Sequence, residues 1–135
     1  MKTITLLLFF YLTAFSFASS PREQVDAFVK TLKSGDAAES IKLLFSSNKL
    51  IGQNQQQLTM MSTQLETALK LYGVVESSDE VCEEEISARV LRISEITNHE
   101  HHPLSWEFIF YKVGDKWIIS QALFGDQFQF IGKKK

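Results

Sequence analysis

The chain has 135 residues, 14 Lys and Arg against 16 Asp and Glu, a net charge of −2 and one cysteine. That length fits a single domain, and the near-neutral charge offers no general basic footprint for nucleic acid. A lone thiol excludes an intrachain disulfide framework and a cysteine-only zinc site. With 44% hydrophobic and 22% charged residues, the composition is globular rather than disordered.

Met1 to Ala18 reads as an address. Lys2 is a minimal positive start, Ile4 to Phe17 is apolar, and Ser16-Phe17-Ala18 supplies small residues where a signal peptidase cuts. The apolar run is short for a spanning anchor, which needs about 20 residues. The expectation is a signal peptide over 1–18 and a single domain over 19–135, exported to the periplasm or secreted, with a bacterial origin. No stable membrane insertion is expected after cleavage. In an oxidising compartment Cys82 either pairs with a second chain or sits buried in a strand as a small hydrophobe.

Three helix starts follow. Ser20-Pro21-Arg22-Glu23 has capping-box order with proline at the first helical position, and Val25, Phe28, Val29 and Leu32 then form one apolar stripe. Gly35 ends that helix. Asp36 with Glu39 starts the second, whose buried face is Ala38, Ile41, Leu44 and Phe45. Asn54 with Gln57 starts the third, which runs through Leu58, Met61, Leu65, Ala68, Leu69 and Tyr72 to Gly73.

From Val74 the helical spacing gives way to β-branched and aromatic residues between turn signals. The pattern predicts strands near 73–81, 84–97, 104–113 and 116–126, with a two-residue loop at Gly114-Asp115. A slip in apolar phase near Val90-Leu91 predicts a β-bulge that bends the second strand. Helices first and an antiparallel sheet afterwards give an α+β fold, three N-terminal helices packed on a strongly curved sheet.

The predicted turn sets the faces of the last hairpin. Phe110 should oppose Ile119, Phe108 should oppose Gln121, and Trp106 should oppose Leu123, all facing the helices with Trp117. Ile109, Tyr111, Ile118, Ala122 and Phe124 then fall on the other face. That set is too apolar for open solvent, and a twofold-related copy is the simplest cover.

This order of elements resembles the nuclear transport factor 2-like superfamily. The segment Trp106-Glu107-Phe108-Ile109-Phe110-Tyr111-Lys112-Val113-Gly114-Asp115-Lys116-Trp117 looks like the penultimate hairpin of its small bacterial members. Tyr72-Gly73 and Phe124-Gly125-Asp126 look similar to the same group. The resemblance implies a cone-shaped α+β roll with a pocket between helices and sheet. It leaves activity open, because members include isomerases, dehydratases and non-catalytic binding modules.

Candidate chemistry is sparse. His99, His101 and His102 cluster in the loop before Pro103, but imidazoles on a loop need convergence on one point to make a metal site, so no metal or other cofactor is implied. The acids Glu76, Asp79, Glu80, Glu83, Glu84 and Glu85 read as a solvated run at a strand turn that discourages wrong pairing. A lining of Met60, Met61, Tyr72, Trp106, Phe108 and Gln121 would suit an apolar ligand held by one hydrogen bond, or would be an ordinary filled core. No inward Asp or His dyad is read, so catalytic residues are not assigned. Lys133 to Lys135 read as a solubilising tail. The sequence therefore points to an exported, non-catalytic binding or interaction domain, a homodimer with a possible small apolar ligand or protein partner. The alternatives are a proton-transfer enzyme using the cone and a purely structural interaction module.

Overall fold

The computed structural model describes residues 19–128, so the signal-peptide expectation for 1–18 and the lysine tail fall outside the described residues. Among these residues, four helices precede a four-stranded antiparallel sheet. The elements are α1 (Pro21–Lys33), α2 (Ala37–Phe45), α3 (Lys49–Gly52), α4 (Gln55–Tyr72), β1 (Val75–Ser87), β2 (Val90–His99), β3 (Leu104–Val113) and β4 (Lys116–Gly125). The strands lie in chain order, which leaves β1 and β4 as the edges.

All three sequence caps form. Ser20, Asp36 and Asn54 accept from the backbone N–H of Glu23, Glu39 and Gln57, each satisfying a donor the helix cannot. The fourth helix start was not expected. Asn48 Oδ1 accepts from Leu50 N and Ile51 N and caps a single turn too short to show a periodic stripe. Gly73 ends α4 at φ +89°, and a Cβ there would lie 2.6 Å from Glu100 Cβ. Both its positive φ and this close approach require glycine.

The core lies between the helices and one sheet face. Val25, Phe28 and Leu32 of α1, Ile41, Leu44 and Phe45 of α2 and Leu65 of α4 pack with Ile93, Leu104, Trp106, Phe108, Phe110 and Ile119. Phe28 meets Trp106 and Phe108 edge-on, with ring centroids at 5.1 and 5.6 Å. Trp106 also stacks on Phe108 and leans on Phe124.

Two sheet expectations are corrected. The first hairpin turns at Ala88-Arg89, so the acidic run lies along β1 itself rather than in a turn. The phase change near Val90 is this turn, and the bulges fall in β1 instead, between Val75 and Ser77, Glu80 and Cys82, and Glu85 and Ser87. Charge repulsion disfavours an acidic strand, but pairing with β2 and cations opposite two acids offset it. Arg22 reaches Glu80, and Arg92 reaches Glu84. Cys82 is half-buried opposite Ser94.

In the last hairpin the predicted register holds from Val113↔Lys116 to Phe110↔Ile119. Gly114 takes φ +60° and Asp115 does not take positive φ, the pattern of a type II′ turn. A bulge at Ser120 then shifts the pairing by one residue, giving Ile109↔Gln121, Phe108↔Ala122 and Trp106↔Phe124. One residue of slip exchanges the faces beyond it. Ala122 and Phe124 therefore pack on the core, and Leu123 is 51% exposed.

Candidate functional site

The sequence-derived pocket does not form as one site. Trp106 and Phe108 are fully buried core residues, with no room between them and Phe28. Met60 is 56% exposed. Tyr72 directs its hydroxyl to Asp126 at 2.7 Å. Only Met61 and Gln121 border a common space, a groove of about 670 Å³ between α4 and β4.

The groove lies where β4 runs on past the bulge at Ser120 and α4 packs against α2. Its apolar floor is Phe45, Ile51, Met61 and Phe124; Gln57, Gln64, Thr67 and Gln121 stand along its rim. Among the described residues, no Asp, Glu, Lys, Arg or His lines it. Side-chain amides both donate and accept, so the rim suits a neutral hydrogen-bonding ligand and offers no general acid or base. Sequence reading missed Gln57, Gln64 and Thr67. Their spacing on α4 is the available signal, but exposed polar positions on a helix do not announce a groove.

A second hollow, about 890 Å³, lies between the start of α1, the α2–α3 connection and the β3–β4 turn, and includes Leu50 and Trp117. Its inner wall is a half-buried polar seam. Gln24 Nε2 donates to Trp117 O, Ser47 Oγ donates to Gln24 Oε1, and Ile119 N donates to Ser47 Oγ. Asn48 Nδ2 donates to Ile119 O at 2.7 Å.

The three imidazoles do not converge. His99 ends β2 buried, with Nδ1 2.9 Å from Gly73 O and Nε2 2.8 Å from Thr97 Oγ1. A carbonyl only accepts, so Nδ1 carries the proton. Thr97 Oγ1 accepts from Trp106 Nε1 and gives its own proton to His99 Nε2. His102 Nδ1 donates to Pro103 O, and His101 is exposed beside Glu100. Among the described residues, no three His, Cys, Asp or Glu side chains gather to hold a metal ion.

Among the described residues, the one deeply buried acid is Glu95, on the core face of β2 beneath α1. Its side chain is 3% exposed and meets Arg22 at 2.7 Å. Burial pushes its carboxyl up from the ordinary value, against the opposing pull of Arg22 and the Ser78 hydroxyl. Arg22 also faces Glu80 and Asp26. This cluster borders neither hollow, so its titration touches no bound molecule there.

Ile109, Tyr111 and Ile118 share the outer sheet face as expected, joined there by Leu123 in place of Ala122 and Phe124. No family model matches this chain, and none of the curated proteins or solved structures matches it.

Proposed function

We propose that the protein is an exported, non-catalytic binding domain, a cone-shaped α+β roll with its interior filled, acting as a homodimer. The observation that carries the reading is the groove between α4 and β4, which is large enough for a ligand and has no ionisable side chain among the described residues that line it. Acid–base catalysis needs a titratable group against the substrate, and the buried carboxyl of Glu95 is instead engaged by Arg22. The alternative of a proton-transfer enzyme has no titratable group in this groove among the described residues, and would need the second hollow, where Glu23, Lys49 and Lys116 stand at the lining.

Dimerisation would use the outer sheet face. Tyr111 is 41% exposed and Leu123 lies on the same side, with half-buried Ile109 and Ile118 between them. The ion pair of Arg92 and Glu84 borders this patch. Native mass spectrometry of the protein purified after export, without a tag, tests the reading. The expected species is a dimer that becomes monomeric in Tyr111→Glu while keeping its circular dichroism. A monomer at every concentration would sink the dimer, and turnover lost on Glu95→Gln would sink the non-catalytic assignment.

A further inference from the structure

β4 is an edge strand, and its outer side divides into two halves. Around Trp117 and Ile119 the edge is largely sealed: Gln24 donates to Trp117 O, Ser47 accepts from Ile119 N and Asn48 donates to Ile119 O, all on the side away from β3. Past the one-residue bulge at Ser120 the alternation resumes, so Ala122 and Phe124 also direct N–H and C=O outward. Among the described residues, nothing bonds those groups from that side.

The opposite edge of the sheet is guarded differently, by the acids spread from Glu76 to Glu85 along β1. Charge and side-chain seals are the devices by which edge strands avoid unwanted pairing. Among the described residues, the stretch Ser120–Phe124 has neither device, and it faces a groove with no charged side chain. An unpaired backbone beside a half-apolar, amide-rimmed groove has the chemistry of a strand acceptor.

We propose that this open half of β4 takes an extended peptide segment of another protein as a fifth strand. The proposal rests on the binding-domain reading and names the ligand class. Ala122 and Phe124 supply the ladder bonds. Peptide side chains on the α4 side rest on Phe45, Met61 and Phe124, within reach of the Gln57 and Gln64 amides. The segment is uncharged at its centre, because the described lining offers no counter-charge for a buried ion. About five residues, on the order of 17 Å of strand, fit the open stretch.

The test is selection of phage-displayed random peptides on the immobilised, untagged protein, followed by fluorescence anisotropy of the enriched peptide, capped at both ends. Two variants report the site. Ala122→Pro deletes an outward N–H while leaving the ladder to β3 in place. Thr67→Arg puts a bulky side chain on an exposed helix position at the groove rim and should fold normally. The expected result is an alternating apolar and neutral-polar consensus whose affinity falls about tenfold or more in both variants, one ladder bond and its desolvation being comparable to that factor.

No enrichment over bare support overturns the proposal, as does a charged consensus or binding unchanged by Thr67→Arg. Binding lost in Tyr111→Glu but kept in both groove variants overturns it while leaving the binding-domain reading intact. A dimer broken by Ala122→Pro and not by Tyr111→Glu shows that β4 pairs with its copy, which also overturns it.

Discussion

Replacing Arg22 with methionine isolates the buried charge pair. Met keeps much of the aliphatic volume but removes the guanidinium that meets Glu95 at 2.7 Å. Glu95 is then a buried carboxylate left with two acids, Glu80 opposite it on β1 and Asp26, whose charge raises its carboxyl further. Breaking one side of a buried pair costs about 3–5 kcal/mol. Arg22 is 21% exposed and shared with two exposed acids, which adds solvent screening, so about 3 kcal/mol at neutral pH is expected.

The pH dependence gives the sharper test. Glu95 already has a raised folded-state pKa. A raised carboxyl binds more protons in the folded state, so its contribution is complete below the unfolded value and declines as pH rises toward the folded one. Removing Arg22 takes away a lowering influence and extends that decline to higher pH. Urea unfolding of wild type, Arg22→Met, Glu95→Gln and the double variant, at pH 4 and pH 7, reads both effects. Arg22→Met should be far closer to wild type at pH 4 than at pH 7, and adding Glu95→Gln should recover most of the loss. A loss below about 1 kcal/mol at pH 7, or one equal at both pH values, would refute a buried ionised pair.

Three further outcomes follow from the packing. Gly73→Ala should lower stability by more than about 1 kcal/mol through its positive φ alone, and Glu100→Gly should relieve only the part due to the 2.6 Å contact, as read by thermal unfolding. Thr97→Val strands Trp106 Nε1 and His99 Nε2 together and should cost about 2–4 kcal/mol; adding Trp106→Phe should cost less than the sum, and ¹⁵N shifts of His99 should report the Nδ1–H tautomer in the wild type. Asn48→Ala removes both the α3 cap and the bond to Ile119 O, so a loss of about 2 kcal/mol with faster amide exchange near Ile119 is expected, and unchanged exchange there would count against the sealed edge.

The local features were legible because local chemistry writes them. Ser20, Asp36 and Asn54 cap helices through bonds spanning three residues, Gly73 and Gly114 mark their turns by positive φ, and the β3–β4 pairing follows from a two-residue loop up to Ile119. The α+β order and the aromatic core face at Trp106, Phe108 and Phe110 follow from the same patterns. Tertiary packing decided the rest. Whether the strand phase near Val90 means a bulge or a turn depends on what pairs with the acidic stretch: Arg92 supplies a partner from across the hairpin and Arg22 one from a distant helix. The Ser120 bulge adjoins the backbone that Ser47 and Asn48 hold in place from about 70 residues away, and that single inserted residue moves Gln121 off the aromatic face while bringing Ala122 and Phe124 onto it. A groove between α4 and β4 likewise has no sequence signature, since it is the space left where two elements, each patterned for the same core, diverge at their ends.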